Sequence, residues 1–492
     1  VKQDSSGPDP TAKSTDRRRI AVIGGGISGL AAAHRLVELD DSHDVVLLEA
    51  SDRLGGVIET FHDEEFLIEA GADNFITVVP WAIDLCRRLG LEDQLLRTND
   101  QFRRASVVSK GRLRQIPEGF LIMAPSKVWP VMKTPILSLS GKLRLAAEYF
   151  VPRRHDVDND ESLASFATRR FGREVYERLI QPLVGGIYTA DAEQLSLKAT
   201  LPRFLRMEAE HGSLIRASRR KSAARPHADQ SSSGSRYSMF VALRGGLNDL
   251  IAAIAKQLPE GTIRLNSPVD RIEQTADGAW SIIISNDKQR PLLVDAVVVA
   301  TPAHHAARLL ATTSAKLSEL LKGIHYAGAD VLALGFRRDQ ISHPLNEFGF
   351  VVPLVEGRKI LSASFSSIKY DGRAPRDHVL VRVFIGGACQ EEYLDLPDDE
   401  LIAIACAELS ELIGIQGAPV LSCVRRYRQA MPQYHLGHLE LVDSIDAQVA
   451  QLSGLELAGN AYRGVGIPHC IHSGEQAAER IAEMAAHQSS AS

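Results

Sequence analysis

The sequence predicts an α/β fold built on a Rossmann-type βαβ unit, and three observations carry that prediction. A short apolar, β-branched run at 20–23 leads directly into Gly24, Gly26 and Gly29, the spacing G-x-G-x-x-G. A helical stretch is expected over about 27–39. A second apolar run at 45–48 ends on Glu49, 20 residues after Gly29.

Each part of this unit has a physical reason. The first glycine permits the tight turn, the second lets a pyrophosphate approach the backbone, and the third lets the helix lie close on the sheet. The free N–H groups and positive dipole end of the helix then face that pyrophosphate. Glu49 stands where ribose hydroxyls donate, and it repels a 2′-phosphate, which argues against NADP. A lone glycine motif is weak evidence. With strand, helix and acid in place, an adenine dinucleotide site outweighs a βαβ unit that binds no nucleotide.

The 492 residues suffice for two or three domains that each bury a core. With 45% hydrophobic and 24% charged residues the chain reads as an ordinary globular protein. A net charge of −5 suggests no nucleic-acid partner. Cys86, Cys389, Cys406, Cys423 and Cys470 are scattered, with no zinc or C-x-x-C spacing. They read as small buried hydrophobes in a reducing compartment, and no metal site is expected. Residues 1–18 are polar, without the apolar core of a secretory signal, so a disordered tail is expected. No run of about 18 uncharged apolar residues predicts a membrane-spanning helix.

Residues 19–84 form the first part of the dinucleotide domain. Arg53-Leu54-Gly55-Gly56 is a second glycine turn, with Arg53 near enough in sequence to face phosphates. A hairpin follows at 57–61 and 66–69, then Gly71-Ala72-Asp73, small residues where a backbone can approach a ligand. Residues 85–235 read as a mostly helical insertion, with a helix at 81–89 leading in and strands at 105–108 and 112–116. Its helices are expected at 161–171, 174–183 and 195–210, ahead of a mobile Ser- and Arg-rich loop at 217–237. The apolar, proline-rich stretch 117–150, with Met123, Trp129 and Met132, lines a cavity, touches a membrane surface or fills a core.

The span 236–324 returns to the dinucleotide domain, with a helix at 248–257 and a buried strand at 294–300. Strands at 331–336, 348–353 and 379–386 and a helix at 399–412 suit an antiparallel sheet over the ligand pocket, spanning 325–454. Residues 455–492 give a strand, a loop with Gly459, Gly464 and Gly466, and a helix from Ile467 whose N-terminus stabilises negative charge.

These features resemble the flavin-containing amine oxidase superfamily. With FGREVYERLIQPLVGGIYTADAEQLSLKATLPRF (171–204), AMPQY (430–434) and LAGNAYRGVGIPHCIHSGEQAA (457–478), the chain is similar to the protoporphyrinogen/coproporphyrinogen oxidase family of the HemY type. The resemblance implies FAD held without a covalent link, an FAD-binding Rossmann-type domain, an antiparallel-sheet substrate domain and an inserted helical domain. Carried over position by position, it implies FAD contacts at Gly24, Gly26, Ser28, Gly29, Glu49, Arg53, Gly55, Gly56, Val269, Gly464, Val465, Gly466 and Ile467. Val269 would meet adenine through its backbone, and Arg104, or its neighbour Arg103, would pair with a substrate propionate. Tyr427 stands where many bacterial members have tryptophan.

The reaction implied is removal of six electrons from a porphyrinogen in haem biosynthesis, with three O2 giving three H2O2. Gly71-Ala72-Asp73-Asn74-Phe75 looks closer to the coproporphyrinogen-type pattern G-P-D-S-F, with Ala72 for proline, which favours coproporphyrinogen III over protoporphyrinogen IX. Such a substrate asks for a wide apolar cavity with cations at its rim. The stretch 117–150 and the strand at 348–352 are the candidate walls. No acid–base pair is found, as suits chemistry carried by a cofactor. A flavin amine oxidase, a carotenoid desaturase and a non-catalytic FAD-binding scaffold are the alternatives. The expected location is cytoplasmic, with peripheral contact at the inner face of a membrane and pairing into a homodimer left open.

Overall fold

A computed structural model describes residues 17–40, 42–125, 127–154, 159–224, 239–287 and 290–491. The expected tail at 1–18 therefore lies outside the described residues except for its last two positions, as does the loop beyond residue 224.

The predicted βαβ unit forms β1 (Arg19–Ile23), α1 (Ile27–Leu39) and β2 (Asp44–Leu48). These join a five-stranded sheet, all parallel, in the order Ile263–Arg264, β2, β1, Ala296–Val299, Leu455–Leu457. Both faces are covered, which is why the strands read as unbroken apolar runs. Ile20 and Val22 of β1 face one core, with α1, the helix Asn248–Gln257 and the C-terminal helix Ile467–Ala491. Ala21 and Ile23 face the other, with a three-stranded antiparallel layer around Trp280 and the helices Ala303–Leu309, Ala315–Lys322 and His438–Val449. The C-terminal helix crosses α1 so closely that a Cβ on Gly474 would lie 2.1 Å from the Ser28 carbonyl oxygen.

A second sheet has seven strands, in the order Leu421–Gln433, His325–Arg337, His378–Gly386, Ser362–Phe365, Gly349–Val351, Ser106–Ser109, Arg112–Gln115. It is antiparallel except where Gly349–Val351 runs parallel to Ser106–Ser109. One face packs on the helix Asp398–Ile413. Two of its strands come from within 85–235, so that span supplies the far edge of this sheet as well as the helical layer.

Several expected elements differ. The hairpin pairs Thr60–Asp63 with Phe66–Glu69, because 57–59 are taken up by the glycine turn. The helix expected at 195–210 is two, Leu197–Thr200 and Pro202–His211, interrupted at Leu201, where φ is −135° and Pro202 begins the next helix. The first part of the loop expected at 217–237 is helical, Leu214–Ala224. Buried Glu148 anchors it, accepting from Ser213 Oγ at 2.6 Å, Leu214 N at 3.0 Å and Ile215 N at 3.3 Å. Glu148 pairs in turn with fully buried Arg170. In 117–150, Met123, Val131 and Ile136 are core, whereas Trp129, Leu139, Leu143 and Phe150 are exposed. Among the described residues no helix is long and apolar enough to cross a membrane.

Buried charge ties the larger sheet to the loop 71–75 and to the strand Phe240–Leu243, which pairs with Phe75–Ile76. Asp73 lies 3.2 Å from Lys369 Nζ and 3.4 Å from Arg382 Nη1. Arg382 also donates to the Gly71 carbonyl, and Arg373 donates to the carbonyls of Leu243 at 2.7 Å and Arg244 at 3.0 Å.

Candidate dinucleotide and substrate site

β1 has its sequential partner β2 on one side and Ala296–Val299 on the other, so the chain order reverses there. Crevices at the carboxyl ends of such strands are where open α/β sheets bind ligands. A cavity of about 450 Å³ opens at this point.

Gly24, with φ 106°, ends β1, and a Cβ there would lie 2.7 Å from the Ala300 carbonyl oxygen. Gly26 caps α1, with no side-chain hydrogen bond to the first turn and no heavy atom within 4 Å of a Cβ placed on it. The first turn of α1 thus presents bare backbone to the cavity, and Ser28 lies on the wall beside it. Gly29 is not on the wall: its missing Cβ would stand 1.9 Å from the Gly24 carbonyl oxygen, so it sets how closely α1 approaches β1.

Glu49 lines the cavity. Its Oε2 accepts from Gly25 N at 2.6 Å, and its Oε1 accepts from Ser51 N and Oγ, each at 2.8 Å. The carboxylate therefore braces the glycine turn as well as facing the cleft. Gly55 and Gly56 form the opposite lip, where Gly55 N donates to the Gly25 carbonyl at 2.9 Å. Arg53 is placed differently from the phosphate contact expected. Its guanidinium donates to the carbonyls of Gly56 at 2.6 Å, Ile58 at 3.1 Å and Leu54 at 3.2 Å, so it holds the second glycine turn from behind. Val269 is on the wall with Ser267 and Pro268.

The C-terminal loop reaches the cavity through Gly459 and Asn460, joined by Cys470 from the first turn of the last helix. Burial pushes the Cys470 thiol up to about 12, so it stays neutral there. Gly464 instead lines a neighbouring cavity, and Val465 leans on the core of the helical layer. The Gly466 carbonyl accepts from His469 N and Cys470 N, which starts the helix, and Ile467 is buried. Tyr434 fixes this loop. Its hydroxyl donates to the Asn460 carbonyl at 2.6 Å and accepts from Gly464 N at 2.7 Å. Burial raises the Tyr434 pKa, which keeps that donor protonated.

The candidate substrate side lies where sheet, helical layer and C-terminal loop meet. Val351 and Val465 both pack on the helical core, and a Cβ on Gly186 would contact Val351 at 3.6 Å. Tyr427 Oη and Gln433 Oε1 are buried in this part of the molecule with no hydrogen-bond partner. Arg104 is exposed at the start of its strand, its carbonyl accepting from Phe348 N at 2.9 Å. Arg103 is engaged by Asp100, whereas the charge of Arg104 acts on Glu347.

Thr301, His305, Arg308, Gln429 and Asn460 also line the cavity and were not singled out from sequence. The first three follow the strand Ala296–Val299, and their signal was its place as the other half of the chain-order reversal. A cradle of bare amides, an acid beside it and the Ser267–Val269 segment on the wall fit an adenine dinucleotide. Among the described residues no cluster of metal-binding side chains occurs.

The family model for flavin containing amine oxidoreductases matches residues 27–482. The chain is 33% identical to coproporphyrinogen III oxidase of Bacillus subtilis (strain 168), over 94% of this chain and 98% of that protein. It is 30% identical to protoporphyrinogen oxidase 2, chloroplastic/mitochondrial, of Arabidopsis thaliana, over 96% of this chain and 95% of that protein. A crystal structure of an Exiguobacterium sp. 255-15 protein superposes with a TM-score of 0.83 at 29% identity, covering 94% of this chain and 98% of that one.

Proposed function

Because the chain belongs to the flavin containing amine oxidoreductase family, we propose that it is an FAD-dependent porphyrinogen oxidase. Its substrate is coproporphyrinogen III by preference and protoporphyrinogen IX otherwise. The observation that carries this is 33% identity to a coproporphyrinogen III oxidase along nearly the whole of both chains. Porphyrinogen and three O2 give porphyrin and three H2O2, six electrons and six protons leaving the macrocycle.

FAD would lie along the cleft, its diphosphate at the first turn of α1, its ribose at Glu49 and its adenine at Val269. A bound flavin supplies two-electron acceptance and transfer to oxygen. The protein's own residues place and enclose. Glu49 and Arg53 hold the two glycine turns in register, and Tyr434 pins the C-terminal loop against the substrate side. Val351 and Val465 give apolar wall, and Arg104 stands at the rim as a cation for a propionate.

The test is the absorbance spectrum of the purified protein, then anaerobic mixing with each porphyrinogen. A yellow protein that bleaches, and that shows a higher kcat/KM for coproporphyrinogen III, is expected. A flavin left oxidised by both substrates contradicts the assignment. Arg104→Ala should raise KM roughly ten- to a hundredfold, the size of a charged hydrogen bond, with kcat little changed. An unchanged KM returns Arg104 to the plain surface.

A further inference from the structure

We propose that Arg308, oriented by His305, is the counter-ion for the diphosphate of the bound dinucleotide. This rests on the reading that the cleft takes FAD. Both side chains line the cavity, from the short helix Ala303–Leu309 that follows Ala300. They stand at i and i+3 and so share a helix face. Arg308 Nη2 donates to His305 Nδ1 at 3.0 Å. That bond requires a neutral imidazole with a free lone pair on Nδ1. Burial and the adjacent guanidinium both lower the His305 pKa, which keeps the ring in that form.

The contrast with other arginines gives the pair its meaning. Arg35, Arg88, Arg358 and Arg463 each pair with carboxylates. Among the described residues no carboxylate pairs with Arg308. Among the described residues the one acid on the cavity wall is Glu49, which accepts from Gly25 N and from Ser51. Arg308 therefore has no paired carboxylate, and the Glu49 carboxylate is engaged by neutral donors of its own loop. The guanidinium lines the same cavity as a helix end whose amides have no side-chain cap. A cation and an amide cradle in one cavity recognise a doubly charged linker, not the neutral base or sugar.

The experiment uses the full-length protein stripped of bound flavin and titrated with FAD, ADP and adenosine. For the wild type, ADP should bind about tenfold or more tightly than adenosine, because only ADP carries the diphosphate. Arg308→Met should weaken FAD and ADP by about tenfold and leave adenosine unchanged. Arg308→Lys should recover part of that loss, since charge returns without the planar fork. The melting temperature of the stripped protein should not move, because the side chain is exposed. ADP and adenosine falling together would overturn the proposal, since the guanidinium would then serve the base or ribose. So would unchanged affinities in Arg308→Met. A wild type that binds neither FAD nor ADP refutes the dinucleotide reading itself, a result distinct from the loss of Arg308's role.

Discussion

Glu347 is 5% exposed, and among the described residues its carboxyl accepts a hydrogen bond only from Ser106 Oγ, at 2.6 Å, with Oε1 left unbonded. Burial pushes its carboxyl up to about 7, against which the Ser106 bond and the charge of Arg104 act only partly. The raised pKa means the fold favours the protonated form. The contribution is complete below the unfolded value near 4.5 and is lost as pH rises through about 7. At roughly 1.4 kcal/mol per pKa unit, about 3 kcal/mol is at stake. Glu347→Gln should therefore melt higher than wild type at pH 8 and alike at pH 4.5. A constant difference across that range, followed by calorimetry, contradicts it. At this scale the sequence was legible where a residue's type alone dictates its place. Gly24 and Glu49 are examples. Arg53 was not, since nothing in R-L-G-G says whether a guanidinium turns toward the cleft or back onto the carbonyls of its own turn. Glu347 takes its character from Ser106, far along the chain, and Arg308 from a cleft assembled by distant segments.

Among the elements, α1 and the C-terminal helix are the pair that shapes the cleft. Gly474 is not on its wall, yet a Cβ there would strike the Ser28 carbonyl, and Ser28 is on the wall. Gly474→Ala should part the two helices and destabilise by about 1–3 kcal/mol, as overpacking does. It should also weaken flavin retention, read as the flavin-to-protein ratio after gel filtration. Full flavin content with a lowered melting temperature would confine the effect to packing. Elements with strong local signals were legible: β1, α1, β2 and the last helix lie where glycine spacing and apolar runs put them. The strand Leu421–Gln433 was not, because its R-R-Y-R-Q stretch and Pro432 suit a sheet edge and lack the apolar alternation of a buried strand. The strand His325–Arg337 ran past its apolar centre at both ends, since its neighbours in the sheet, not its own residues, set its length.

For the whole molecule, the larger sheet is tied to the loop 71–75 by Asp73, Lys369 and Arg382, and to the strand Phe240–Leu243 by Arg373, contacts no local reading of 71–75 could show. Lys369 and Arg382 hold the Asp73 carboxylate below its usual pKa even though burial opposes this. A depressed pKa gives stability that is present above the unfolded value and lost as pH falls through the folded one. Asp73→Asn leaves two buried cations without their carboxylate and should cost about 3–5 kcal/mol at neutral pH. The deficit should begin to shrink as pH falls below the ordinary carboxylate value, where the unfolded wild type takes up a proton, and disappear once the folded carboxylate is protonated too. Urea unfolding of both proteins at pH 7 and pH 3.5 measures it, and equal stability at pH 7 rules the coupling out. Substrate and dinucleotide regions are thus not free to drift apart, since Gly71, Val57 and the second glycine turn are tied to one strand of the larger sheet.

The cleft is closed by residues 24–56 on one side and 459–470 on the other, with the strand Leu455–Leu457 completing the parallel sheet. A nascent chain leaving the ribosome therefore carries an incomplete binding site until residues 455–470 have emerged. Cofactor loading has to wait for that stretch to fold, and a transcript truncated before residue 455 should yield an apoprotein that no excess of riboflavin in the medium can convert.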